Sequence, residues 1–184
     1  MMPFLIAGIV LFLIFILGYN TLVGKRNQVD NAFAALDAML KKRFDLIPNL
    51  VATVKNYAQY EQSTLNNLVA LRSKAMNGEL SKNESIELDN TFTQAVRGLV
   101  VLSENYPELR ASENYMQLQR ALNETEEQIS AARRNYNATT THYNDSVQKF
   151  PSNIIAAAFA FKTRALLATP EAQRENVDVN QLFK

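Results

Sequence analysis

The sequence predicts an all-α protein, an elongated antiparallel up-down helical bundle with an N-terminal single transmembrane helix. Three observations predict it. No side chain from Met1 to Gly24 is charged, and Phe4 to Tyr19 reads FLIAGIVLFLIFILGY. Beyond that stretch, apolar residues recur at alternating steps of four and three, the spacing of one helix face. Finally, 184 residues contain only five glycines and five prolines, too few for the many tight turns of a sheet protein.

The first segment is read as an uncleaved anchor. A helix crossing a bilayer needs about 20 predominantly apolar residues, and residues 1–24 meet that length. A cleaved signal peptide would bring a basic leading region and a small-x-small site. Here no Lys or Arg precedes the apolar run, and Gly18-Tyr19-Asn20 is a poor cleavage site. Tyr19 suits the lipid–water interface. Lys25, Arg26, Lys41, Lys42 and Arg43 all follow the span. The positive-inside rule therefore places the bundle in the cytoplasm and the N-terminus outside, in a single-pass protein of the cell (inner) membrane. The alternative puts the bundle on the outer side.

The soluble part divides into residues 25–161, the bundle, and 162–184, a tail. The heptad line runs Val29, Phe33, Leu36, Leu40, Arg43, Ile47, Leu50, Val54, Tyr57, Glu61, Thr64, Leu68, Leu71. Most of these are apolar or aromatic, which selects helix. One helix over Val29–Met76 would extend roughly 70 Å and end near Asn77-Gly78, where glycine suits a left-handed stop. Ser81-Lys82-Asn83-Glu84 has the capping-box pattern. It opens a second helix bearing Ile86, Leu88, Phe92, Val96, Leu99 and Leu102. Pro107 suits the first turn of a third helix, whose line runs from Tyr115 through Leu118, Leu122, Ile129, Ala132, Tyr136 and Tyr143 to Phe150. Phe150-Pro151 breaks it, and Ser152 caps a short apolar helix over 154–161. Eight residues cannot span a bilayer, so this helix is expected to pack on the bundle; contact with the membrane or another subunit is the competing reading. From Lys162 the amphipathic signal fades, and the chain reads as a tail, mobile if unpaired.

Pro48 lies within the heptad line. A proline inside a helix removes one backbone hydrogen bond and clashes with the carbonyl four residues back, here that of Phe44, at a cost of about 3 kcal/mol. No loop residues flank it, and the line continues through Ile47, Leu50 and Val54. The expectation is a helix kink at Pro48, held by packing, rather than a full break.

That segment, LKKRFDLIPNLVATVKNYAQYE, closely resembles the signature of the LemA family. The resemblance also covers Tyr19–Val23, Asn27–Leu40, Glu104–Arg110, Asn114–Gln119 and Leu122–Glu126. It continues through Ala131–Asn137, Tyr143-Asn144 and Phe150-Pro151. Most of the chain up to Phe161 is thus matched in order. Phe33 stands where the family usually has an aromatic residue, often tryptophan. The resemblance implies a membrane-anchored antiparallel helical bundle, and it brings no agreed catalytic activity.

Charge and residue inventory exclude several classes. The formal charge of +1 gives no reason to expect nucleic acid. Without cysteine there is no disulfide, zinc ribbon or thiol catalysis. His142 is the one histidine and Thr139 stands three residues before it, so the paired Glu-x-x-His of a di-iron bundle is excluded. The five glycines are scattered, which leaves no phosphate-cradling loop. No catalytic residue, metal site or cofactor is expected. What remains is a polar seam on the bundle: Arg43, Asn49, Glu61, Arg134, Tyr136 and Asn137. A buried charge needs a partner, and Arg43 or Arg134 paired with a glutamate of another helix would set register. Tyr136-Asn137 and Tyr143-Asn144 lie one heptad apart and face the same way, with ring buried and hydroxyl at the rim.

The function read from these features is a membrane-anchored, non-catalytic scaffold or interaction protein that self-associates in coiled-coil fashion. Its partners are the lipid bilayer, further copies of itself and other membrane proteins. Self-association is expected because a second helix of about twenty residues cannot line all of the first. The alternative is a membrane-associated sensor or ligand-binding module that uses the polar seam.

Overall fold

The computed structural model describes residues 1–57, 62–77 and 80–168, the side chain of Leu11 excepted. Among these residues there are helices and no strand. They are α1 (Met2–Phe44), α2 (Ile47–Lys55), α3 (Gln62–Asn77), α4 (Lys82–Ser103), α5 (Pro107–Ala111), α6 (Glu113–Gln148) and α7 (Ser152–Ala158).

α1 begins with proline in its first turn and ends on Lys41, Lys42 and Arg43, which face the negative end of the helix dipole. Its first half is bare: every described side chain from Met1 to Leu17 is exposed. By length and composition this is a helix that can cross a membrane. The second half is a core helix, with Leu22, Val29, Leu36 and Leu40 at most 2% exposed.

Pro48 is accommodated without an interior helix penalty. Asp45 and Leu46 form a two-residue turn but keep right-handed helical dihedrals (φ −70°, ψ −14° and φ −78°, ψ −18°). The Leu46 N–H bonds to the Arg43 carbonyl, a three-residue step, and α2 restarts with Pro48 in its first turn. There its missing N–H has no helical partner to lose. Because the backbone stays helical, the seam carries on through Ile47, Leu50 and Val54, each at most 1% exposed. Burying one such side chain is worth about 1.5–3 kcal/mol, so three of them outweigh the local irregularity.

The rod expected over Val29–Met76 ends sooner. α2 stops at Lys55, Asn56 and Tyr57 form a turn, and α3 runs back along α2 and the end of α1. Gln62, Leu65 and Val69 lie beside Asn56, Lys55 and Val51. Further along, Arg72 reaches Asp45 at 4.0 Å, and Ala75 and Met76 meet Leu40 and Phe44. The weak point is visible on the heptad line, where Tyr57, Glu61 and Thr64 follow one another with no aliphatic residue between Val54 and Leu68.

α4 opens with the anticipated capping box: Ser81 Oγ accepts from the Glu84 N–H, and Glu84 Oε2 accepts from the Ser81 N–H. Pro107 starts the short α5, pinned by the fully buried Leu109. Ser112 is extended (ψ 126°), so the long helix starts afresh at Glu113. α6 lies antiparallel to α1: Phe33 meets Tyr136, and Lys25 bonds Ser146. The direction sequence is therefore α1–α2 outward from the bare segment, α3 back, α4 outward and α6 back. This brings the C-terminal end of α6 to the end of the bare segment.

α7 closes with Ala160 in the left-handed region (φ 54°). The Phe161 N–H bonds to the Ala156 carbonyl and the Ala160 N–H to that of Ala157, the Schellman closure that usually has glycine at this position. The chain then runs as an irregular strap over 161–168.

Candidate functional site

Two polar constellations stand out. The first is a buried charge node joining three helices. Arg43 from α1 places Nη1 2.7 Å from Asp89 Oδ1 of α4 and 2.7 Å from Glu126 Oε2 of α6. Arg133, also from α6, reaches Asp89 Oδ2 at 3.3 Å. Arg43, Asp89 and Arg133 are buried. The Arg43 guanidinium also lies 4.8 Å from the Phe92 ring centroid, and Phe92 meets Phe44 edge to face. Two cations and two anions cancel. Burial pushes the Asp89 carboxyl above its ordinary value of 3.8; Arg43 and Arg133 pull it down, while Glu126 pushes it further up. Desolvation by burial is thus the dominant influence on Asp89, and it offsets part of what pairing with the two arginines supplies. The node ties α1, α4 and α6 together at one level, while Arg43 Nε and both Nε and Nη1 of Arg133 have no hydrogen-bond partner.

The second is a ladder on the outer edge of α6. Asn144 donates from Nδ2 to the Arg164 carbonyl and accepts the Arg164 N–H on Oδ1, both at 2.8 Å. One heptad earlier, Asn137 does the same with Leu167, at 3.0 and 2.9 Å. Tyr143 donates its hydroxyl to the Lys162 carbonyl at 2.9 Å, and Tyr136 donates to that of Ala165 at 3.4 Å. These hydrogen bonds all go to peptide groups of the strap, whose Leu167 side chain is in turn buried in the main core. The Arg164 side chain adds a bidentate pair with Asp30 of α1, which holds the Asp30 carboxyl below its ordinary value. Lys82 joins from α4, 3.7 Å from Asp30 and 4.6 Å from the Phe33 ring centroid. The tail expected from residue 162 is therefore bound as far as Ala168; residues 169–184 lie outside the described residues.

The seam residues named from sequence do not form one site. Arg43 is in the node, while Tyr136 and Asn137 are in the ladder. Arg134 is exposed and bonds Ser130 on its own helix; its neighbour Arg133 takes the buried place. The buried face of α6 runs Leu122, Thr125, Ile129, Arg133, Tyr136, Thr140, Tyr143, and Arg133 falls on it four residues from Ile129. Asn49 is exposed and lines a shallow groove with Asn114, Gln117 and Leu118. Glu61 lies outside the described residues. Sequence reasoning missed Asp89, which sits three residues from both Ile86 and Phe92 and hence on the apolar face of α4. Among the described residues no three metal-ligating side chains gather.

The geometry defines a class: a helical bundle built on the continuation of one long N-terminal apolar helix, with polar groups spent on internal register. The chain belongs to the LemA family, whose profile matches residues 32–181. It is similar to Protein LemA of Metamycoplasma hominis, with 28% identity over 163 residues, covering 89% of this chain and 74% of that protein. It is also similar to Magnetosome protein MamQ 2 of Paramagnetospirillum magneticum, 24% identical over 191 aligned residues, 90% of this chain and 70% of the relative. Magnetosome protein MamQ of Magnetospirillum gryphiswaldense is 22% identical over 169 residues, which covers 78% of this chain and 62% of that protein.

Proposed function

We propose that the protein is a single-pass, non-catalytic scaffold of the inner membrane that holds its bundle at a fixed height and angle above the bilayer. One observation carries this reading. α1 runs from Met2 to Phe44 without interruption, bare for its first half and core for its second. A 43-residue helix spans roughly 65 Å, and an unbroken one transmits its orientation. An enzyme would need convergent reactive groups; here the buried charges, Arg43 and Arg133, face Asp89 and Glu126.

Self-association and recruitment of other membrane proteins belong to this proposal. The bundle covers its own seam from Val29 to Val54, so the support lies in the span, an apolar surface that the bundle leaves bare. Crosslinking or mass measurement in mild detergent is expected to return oligomers; monomer alone refutes self-association. Lys25 and Arg26 next to the span support a cytoplasmic bundle. Protease added to spheroplasts is then expected to spare the C-terminus, and its digestion reverses the orientation. The sensor reading has less support, because Arg43 is committed to Asp89 and Glu126.

A further inference from the structure

α7 packs on α1 where the bare part of that helix ends. The bare part of α1, Met2–Leu17, is about 24 Å long at 1.5 Å per residue. The hydrocarbon core of a bilayer is about 30 Å thick. Lipid that covers the bare part therefore extends roughly one further turn, to Gly18–Leu22. That turn is where α7 sits. Ile155 fills the space that a Cβ at Gly18 would take. Leu22, Ile155 and Ala156 make a small core of their own. Phe159 stacks at 4.6 Å from Tyr19 and 5.7 Å from Phe15, ring centroid to ring centroid.

The outer face of the same element is apolar and uncovered. Phe150 is 80% exposed, Ile154 58% and Phe159 49%. No charge occurs from Phe150 to Phe161, while Lys149 and Lys162 bracket the stretch and Arg26 lies 5.3 Å from the Phe161 ring centroid. An apolar face with basic residues at its rim is the composition of an element lying in the lipid interface.

We propose that Phe150, Ile154 and Phe159 insert into the interfacial layer of the bilayer that α1 crosses, so that α7 acts as a collar fixing the tilt of the span. The occupant is lipid because the patch is continuous with the span at Phe15 and Tyr19. The proposal rests on the reading of α1 as a membrane helix, and its test separates the two.

The chain has no cysteine, so single reporters can be placed in the full-length protein. Phe150→Cys and Ile154→Cys, each carrying an environment-sensitive fluorophore, are reconstituted in phosphatidylcholine vesicles. Ile9→Cys in the span and Asn123→Cys on exposed α6 serve as references. Lipids spin-labelled near the headgroup are expected to quench the 150 and 154 reporters several-fold more than the 123 reporter, while aqueous iodide does the reverse. Ile9 is expected to be quenched by lipids labelled deep in the chain. Iodide access at 150 and 154 equal to that at 123, with Ile9 still lipid-quenched, overturns the collar and leaves the span. Shielding from iodide without lipid quenching assigns the patch to another protein surface and also overturns it. An Ile9 reporter open to iodide removes both readings.

Discussion

The two ends of the bundle are held together by different means. Away from the span, charges meet where three helices cross: Arg43, Asp89 and Arg133 are buried there, and the partly exposed Glu126 completes the set. At the span end the fastening is neutral. Asn137 and Asn144 bind peptide groups, Tyr136 and Tyr143 donate to carbonyls, and Gly18 lets Ile155 approach closely. The ion pairs there, Arg164 and Lys82 with Asp30 and Lys149 with Asp145, are partly solvated. A charge needs either water or a partner within the protein. Between helices a charged partner can be arranged; along the strap, amides and phenols hold peptide groups with no charge to compensate. The node therefore depends on the identity of each charged member, whereas the ladder's hydrogen bonds go to the main chain of the strap.

Breaking the node gives the largest effect. Asp89→Ala leaves two buried guanidiniums facing each other and is expected to cost about 3–5 kcal/mol in denaturant unfolding. The raised Asp89 pKa means that its ionised carboxylate is less favourable in the fold than in water, so the intact node adds little net stability. Hence Arg43→Met, Asp89→Leu and Arg133→Met combined should recover most of that loss; a triple variant as unstable as Asp89→Ala would contradict the register reading.

At the other end, Gly18→Leu should force Ile155 off α1, at about 1–3 kcal/mol, and expose the strap to protease. Gly24→Leu, which meets nothing within 4 Å, should leave both stability and protease resistance unchanged.

The ladder gives a smaller effect. Asn144→Ala removes two hydrogen bonds and is expected to cost about 1–2 kcal/mol, read locally as faster amide exchange at Arg164. Substitutions at Thr163 or Leu166, which are exposed, should leave that exchange rate alone. Sensitivity at these positions comparable to that of Asn144 would show that the strap is read by its side chains.

The smallest effect is acid loosening of the strap. The Asp30 pKa is lowered in the fold by its hydrogen bond with Arg164. Its contribution is thus present above the ordinary value of 3.8 and is lost as pH falls through the lower folded value. Exchange or proteolysis of the strap should rise only below that pH, and Asp30→Asn should remove the acid phase. Partial exposure of the pair keeps the effect small.

Much of the site was partly legible. The one-heptad repeat of Tyr136-Asn137 and Tyr143-Asn144 placed four residues on one edge, and a tyrosine with its hydroxyl at the rim describes Tyr143. What they bind was hidden, because the partner is a backbone 19 to 30 residues away with no side-chain signature. Arg133 could be separated from Arg134 by its spacing from Ile129, and Asp89 by its place between Ile86 and Phe92. In both cases the helix face was visible, yet the residue opposite it was not.

By itself the sequence determined what depends on neighbours along the chain. This covers the charge-free segment from Met1 to Gly24, the seam that persists through Pro48, the capping box at Ser81 and the start at Pro107. Helical dihedrals, caps and spacing are local, so a few residues decide them. The tertiary structure alone decided the reversal after Lys55, and with it the number of times the chain changes direction. One more reversal or one fewer would send α6 the other way and carry α7 far from the span. That choice rests on summed burial between segments distant in sequence, a quantity that exists only once the helices have met.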